Sequence, residues 1–256
     1  MTDLLQVDRP AGIAERLRAG QIVKICGLRR SEDAVVAAMV GADLIGFIFA
    51  RARRRIEPEA AREAIDAARA AVTGGGPLAV GVFVDATAEE MNRTADAANL
   101  DLLQLHGSES PALLADLERP VIKAFRPHGD VSVSQLERDV APFAVLPAPP
   151  VAYLIDGFSE REAGGEGVRA DWSLAAEVSQ RLPAMLAGGL NAANVGNAID
   201  AVDPIGVDVS SGVEVDGVKD PRLIEAFVKT ARSAFLQRRA VVPVTSHDQP
   251  ADVSSR

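Results

Sequence analysis

Short apolar runs alternate with longer amphipathic segments along most of the chain. The strand-like runs fall at residues 22–26, 44–49, 78–84, 101–105, 121–124, 151–155, 184–187 and 205–209. They are short and carry few charges, as strands buried on both faces require. Between them the apolar positions recur at helical spacing, and many of these segments open on a start signal. Ser31-Glu-Asp opens the first, Glu57-Pro58-Glu59 the second and Thr87-Ala-Glu-Glu the third; Asp171-Trp-Ser opens a later one, and Asn191 precedes another. An oxygen-bearing residue before the apolar period, with acids in the first turn, answers the free N–H groups of a helix N-terminus. Pro58 sits where a first-turn proline is tolerated.

Eight strand–helix units in sequence imply parallel strands, and their length suits an α/β fold of the (β/α)8 TIM-barrel type, built as a single domain over residues 22–237. The alternative is an open doubly wound sheet, but no GxGxxG follows the first strand. The ends lie outside the repeat. Residues 1–21 form an N-terminal extension with a short helix at 13–18 that covers the N-terminal side of the barrel. Residues 238–256 lose periodicity and read as a polar, disordered tail. The Gly-rich, charged connection 157–170 follows the sixth strand and reads as a mobile active-site loop.

Composition narrows the function. A chain of 256 residues with 48% apolar and 25% charged residues buries a sizeable core without staples. Its net charge of −9 argues against a nucleic-acid binder, which needs a broad basic surface. The most hydrophobic stretch, 34–50, is only 17 residues long and carries Asp43, so no membrane span is expected. The N-terminus lacks a basic region followed by an apolar run, so no secretory signal is expected. The single cysteine, Cys26, cannot form an internal disulfide, and no Cys/His set has zinc spacing. These features point to a reducing cytoplasm and to no metal or cofactor. The absence of an assembly stripe points to a monomer.

In a barrel, chemistry gathers at the C-terminal ends of the strands. Cys26 ends the first strand, either as a buried structural thiol or as a base or nucleophile if its neighbours lower its pKa. Asp156 ends the sixth, emerging from an apolar run. Burial there is expected to raise its pKa and suit it to general-acid work; the plainer reading is a cap or loop ligand. Gly188-Gly189 follows the seventh strand, and Asp208-Val-Ser210-Ser211-Gly212 ends and follows the eighth. Glycines there let backbone N–H groups approach an anion, so the pair of loops predicts a phosphate site. Arg51, Arg53, Arg54 and Arg55 follow the second strand. Most are expected to be solvated, with one turned inward to hold a carboxylate. His106 follows the fourth strand as a pocket wall or an acid–base group.

The segments VKICGLRRSEDA, GADLIGFIFA, GVFVDAT, LDLLQLHGSE, VIKAF, GGEGVRADWS, LAGGLNAANV and VDVSSGVE resemble, in order, the phosphoribosylanthranilate isomerase family of tryptophan biosynthesis. The resemblance runs from about residue 23 to 231. It implies an Amadori rearrangement of N-(5-phosphoribosyl)anthranilate to 1-(2-carboxyphenylamino)-1-deoxyribulose 5-phosphate. The family's KICG cysteine, here Cys26, is the general base, and the aspartate ending the sixth strand, here Asp156, is the general acid. An arginine after the second strand holds the anthranilate carboxylate. Counting back from Ile56-Glu57-Pro58 selects Arg54, with Arg53 and Arg55 one residue away. The loop departs from the family's pattern at Glu166, where a small hydroxyl residue is usual between glycines.

Rival readings rest on other residues. A metal-dependent epimerase would need ligands that His106 alone does not supply. An indoleglycerol-phosphate synthase would want a catalytic lysine, and Lys24 shares the Cys26 face by period two. A bifunctional isomerase would need an aspartate where Cys26 stands. A non-catalytic phosphosugar-binding barrel would have no need of Cys26 and Asp156 at the rim.

Overall fold

The computed structural model describes residues 9–127, 131–156 and 172–241. The chain forms β1 (Ile22–Ile25), β2 (Leu44–Ile48), β3 (Leu78–Phe83), β4 (Leu102–Leu105), β5 (Val121–Phe125), β6 (Ala152–Asp156), β7 (Ala184–Ala187) and β8 (Gly206–Val209). All eight pair in parallel, in sequence order, and β8 returns to β1 to close the barrel. The outer layer comprises α2 (Ser31–Met39), α3 (Pro58–Ala70), α4 (Ala88–Ala98), α5 (Val133–Ala144), α6 (Ser173–Ser179), α7 (Val195–Val202) and α8 (Pro221–Val241). A small hairpin, β9 (Glu214–Val215) with β10 (Val218–Lys219), sits between β8 and α8.

Strand alternation divides the core in two. Ile22, Leu44, Val80, Leu102, Ile122, Leu154 and Met185 fill the barrel interior. Ile13 and Leu17 of the preceding helix α1 (Arg9–Arg18) join the same cluster and close its floor. The outward residues, including Val23, Ile25, Phe47, Leu103 and Val207, pack against the helices. At the β1–β8 seam, a Cβ on Gly206 would lie 2.7 Å from the backbone oxygen of Ile22. Closure therefore requires a residue without a side chain at this point.

The expected helix starts fare unequally. Thr87 caps α4, its hydroxyl accepting from the Glu90 amide at 3.2 Å. The helix expected after Asn191 begins at Val195. Asn191 and Asn194 instead tie the preceding loop, because their side chains satisfy loop amides more directly than a longer helix would. Asn194 Oδ1 accepts from the Asn191 amide and Asn191 Oδ1 from the Ala193 amide, both at 2.8 Å. After β4 the crossover is a short 3-10 turn, Pro111–Asp116, and not an α-helix. Buried polar contacts hold that crossover. Lys123 Nζ donates to Glu109 Oε2 and to the Gly107 carbonyl, each at 2.8 Å, and Glu109 accepts from the amides of Asp85 and Gly107. α8 runs to Val241, past the expected boundary at 238. The expectations for the 157–170 loop, Glu166, the Asp171 start and the tail beyond 241 lie outside the described residues.

Candidate active site

A cavity of about 700 Å³ opens at the C-terminal rim of the barrel. It brings together Cys26, Arg54, His106, Asp156, Gly188, Gly189, Asp208, Ser210, Ser211 and Gly212, the ten residues singled out in the sequence. Arg51, Gln104 and Arg126 line it as well. Of Arg53, Arg54 and Arg55, only Arg54 reaches the cavity.

Cys26 follows β1, its amide donating to the Val209 carbonyl at 2.8 Å. Gly27 has a left-handed φ of 74° and no Cβ; a methyl there would meet Arg54 Cδ at 2.6 Å. Glycine at this position thus lets the arginine cross above the strand end. Burial is the largest influence on the Cys26 thiol and pushes its pKa up. Lys24 opposes it and Asp208 reinforces it, and the net result lies above the ordinary value. The resting group is a thiol, where the sequence reading required neighbours that lower the pKa.

Asp156 corrects the sequence reading. Burial does push its carboxyl up, but hydrogen bonds and charge from His106 and Arg126 outweigh it and hold the pKa below the ordinary value. His106 Nε2 lies 3.5 Å and Arg126 Nε 3.3 Å from Asp156 Oδ2. Arg126 Nε also donates to His106 Nε2 at 2.9 Å, while the Gln104 amide faces His106 Nδ1 at 2.9 Å. A neutral imidazole cannot accept at both nitrogens. With the Gln104 amide flipped, so that its otherwise unpartnered Oε1 faces the ring, Nδ1–H donates to that oxygen while Nε2 accepts from Arg126.

On the opposite rim, Glu214 at the start of β9 gathers three cations. Arg54 grips it with Nε at 2.6 Å and Nη2 at 2.8 Å, Arg53 Nη2 lies at 2.8 Å, and Lys219 Nζ at 2.9 Å. Burial raises the Glu214 carboxyl, but Arg54 and Lys219 prevail and hold its pKa at about 2. One edge of the Arg54 fork is thus occupied, and Nη1 has no hydrogen bond among the described residues.

The two glycine loops meet beside this cluster. Gly188 and Gly189 take φ values of 92° and 62°, which residues with a Cβ rarely adopt. A methyl on Gly212 would strike the Leu190 carbonyl, so the β7 and β8 loops nest against each other. Asn194 Nδ2 donates to the Gly189 carbonyl at 3.0 Å and fixes the first loop. Asp208, next to last in β8, is nearly buried, with Oδ2 bound to Lys24 and Oδ1 buried without a partner.

Sequence reasoning missed Arg126, Gln104 and Glu214. Gln104 stood in LQLHG and Glu214 in DVSSGVE, both already read for their neighbours. Arg126 follows β5 and sat outside the expected strand. Among the described residues, no group of three or more His, Cys, Asp or Glu side chains is placed to hold a metal ion. No described helix is long and apolar enough to cross a membrane.

Fold and cavity define a (β/α)8 barrel whose rim gathers ionisable side chains beside two glycine loops. The sequence model of N-(5'phosphoribosyl)anthranilate (PRA) isomerase matches residues 23–230. The chain belongs to that family. It is 44% identical over 214 residues to the N-(5'-phosphoribosyl)anthranilate isomerase of Desulforudis audaxviator, covering 84% of this chain and 99% of that one. The crystal structure of the Thermotoga maritima phosphoribosyl anthranilate isomerase matches with a TM-score of 0.69 and 36% identity. That match covers 83% of this chain and 98% of the other. A further isomerase structure, at 34% identity and TM-score 0.67 over the same shares, holds reduced 1-(o-carboxyphenylamino)-1-deoxyribulose 5-phosphate.

The Glu214 cluster carries a pH signature. A carboxyl whose folded pKa lies below its ordinary value near 4.5 stabilises the fold fully above that value, and loses this contribution as pH falls towards about 2. Melting temperatures measured from pH 6 to pH 2 should therefore fall less steeply below pH 4.5 in Glu214→Gln than in the wild type. Parallel curves would show that the cluster is not what holds this rim.

Proposed function

We infer that the chain catalyses the Amadori rearrangement of N-(5-phosphoribosyl)anthranilate to 1-(2-carboxyphenylamino)-1-deoxyribulose 5-phosphate, the third step from chorismate in tryptophan biosynthesis. The observation that carries this reading, within an isomerase family, is that Cys26, Asp156 and both glycine loops line one cavity. The complex of the related enzyme with a reduced product supports it.

The substrate has an anion at each end and its reacting carbons between. The phosphate belongs with Gly188, Gly189, Ser211 and Gly212, where backbone amides approach without obstructing side chains. The anthranilate carboxylate belongs with Arg54, whose guanidinium plane is fixed by Glu214. The open Asp208 Oδ1 accepts from a sugar hydroxyl, which relieves its unmet hydrogen-bonding demand.

Asp156 delivers a proton to the furanose ring oxygen as the C1′–O bond breaks, leaving an iminium. At rest Asp156 is ionised and Cys26 is a thiol, so the active form arises by net transfer of one proton, through solvent in the open cavity, from the Cys26 thiol to the Asp156 carboxylate. Cys26, as thiolate, takes the C2′ proton, and the electrons of that bond neutralise the iminium to give an enolamine. Ketonisation at C2′, with protonation at C1′, completes the isomerisation. The iminium acidifies C2′–H, so the residues described meet the reaction's demands without a metal.

The rival lysine chemistry fails on position. Lys24 is fully buried beneath the rim, paired to Asp208, and does not line the cavity. We read the protein as a monomer of the cytoplasm, in keeping with its one buried thiol and acidic net charge. Sedimentation equilibrium should return 26.9 kDa; twice that mass would overturn the monomer.

The reaction is tested by loss of anthranilate-type fluorescence with substrate generated in situ and EDTA present. Indoleglycerol-phosphate synthase in excess removes product. Wild-type protein should turn over, while Cys26→Ala and Asp156→Asn should each lose about 10²–10⁴-fold in kcat with the fold intact. No turnover by folded wild-type protein would reject the activity. Near-normal kcat in either variant would reject that residue's role.

A further inference from the structure

We propose that Lys24 is a positioning residue for the Cys26 base: its ammonium, sealed inside the barrel beneath the sulfur and anchored by Asp208, is the counter-charge that stabilises the thiolate. The proposal rests on the base role read for Cys26 above.

Ile22, Lys24 and Cys26 alternate onto the inner face of one strand. Ile22 belongs to the apolar interior, Lys24 follows it, and Cys26 opens into the cavity. The geometry shows how close the last two come. A methyl on Gly46, in the neighbouring strand β2, would sit 2.9 Å from Cys26 Sγ and 3.2 Å from Lys24 Cε. Glycine at 46 leaves the space in which the sulfur and the end of the lysine chain converge.

Lys24 has no solvent exposure, and a buried ammonium keeps its charge only with a partner. The β1–β8 register sets Lys24 opposite Asp208, and Nζ lies 2.9 Å from Oδ2. Burial works against the lysine's charge, but Asp208 and Cys26 outweigh it, so Lys24 remains cationic. Such a pair is not needed to fill a barrel: an apolar layer of similar volume is often as stable or more so. A cation kept two residues below a cysteine therefore points to a task at the sulfur.

Three other charged groups bear on that space. Asp208 from β8 opposes thiolate formation, while Lys219 from β10 favours it. The charge of Arg54, in the connection after β2, also interacts with a Cys26 thiolate. Lys219 and Arg54 are both bound to Glu214, which compensates part of their charge. Lys24 differs from them in its place beneath the sulfur on the same strand face, where the end of its chain and the sulfur border the one space left by Gly46.

Cys26 is the only cysteine, so alkylation of the whole protein reports on this one thiol without any turnover. The rate of iodoacetamide modification, followed by mass, would be measured against pH for wild type, Lys24→Met and the double variant Lys24→Met/Asp208→Asn. The double variant removes both buried charges together and avoids leaving an unpaired carboxylate, so it serves if the single variant does not fold. Loss of the counter-charge should raise the alkylation midpoint by about one pH unit or more in Lys24→Met, and by less in the double variant, which also removes the opposing Asp208 charge. A merely structural lysine predicts otherwise: loosening the barrel admits water, which relieves desolvation and lowers the midpoint. A midpoint unchanged or lowered in the folded variants would overturn the proposal. Full activity in Cys26→Ala would reject the base role separately, whatever the alkylation shows.

Discussion

Closing eight parallel strands obliges β1 to meet β8 in one register, and the rim chemistry follows from that meeting. The pairing sets Val23 against Val207, Lys24 against Asp208 and Ile25 against Val209. Gly206 permits the approach, because any Cβ there would collide with the Ile22 backbone. One step beyond the paired residues, the Cys26 amide bonds the Val209 carbonyl and Ser210 Oγ donates to the Cys26 carbonyl at 3.2 Å. The thiol and the loop after β8 are thus fixed to each other by the closure itself. A slip of one residue would turn Lys24 and Cys26 away from the interior.

The charges around the cavity are arranged in two groups with different work. On one side, Arg53, Arg54 and Lys219 converge on Glu214, leaving a cationic surplus close to the glycine loops. A chain with net charge −9 can therefore still offer a local home to a doubly anionic substrate. On the other side, His106 and Arg126 hold Asp156 ionised. His106 stands on the crossover clamped by the buried Lys123–Glu109 pair, which takes the place of a helix in that unit. Both groups use ion pairs to fix side chains that would otherwise be long and mobile.

The barrel was legible in the sequence because strands buried on both faces leave uninterrupted apolar runs, and because a parallel barrel assigns chemistry to the ends of those runs. Cys26, Asp156, Gly188 and Ser210 are recognisable on those grounds alone. The electrostatics were not legible. Lys24 and Asp208 are 184 positions apart, and Arg54 and Glu214 are 160 apart; both partnerships depend on strand register and loop nesting. The Asp156 pKa was expected to rise because its own strand is apolar. It falls because β4 and β5 deliver His106 and Arg126 to the same oxygen. The 3-10 turn in place of an α-helix after β4 has a similar cause, since the Lys123–Glu109 contact that holds it is tertiary.

The central claim is that one cavity holds the phosphate at the β7 and β8 loops, the carboxylate at Arg54, and the reacting carbons between Cys26 and Asp156. A crystal structure of this chain with reduced 1-(2-carboxyphenylamino)-1-deoxyribulose 5-phosphate tests it most directly. The account predicts phosphate oxygens within hydrogen-bonding distance of the Gly189 and Ser211 amides, and the carboxylate on Arg54. Cys26 Sγ should approach the C2′ carbon, with Asp156 beside the oxygen released by ring opening. A phosphate bound elsewhere, or a C2′ carbon out of reach of Cys26, would contradict it.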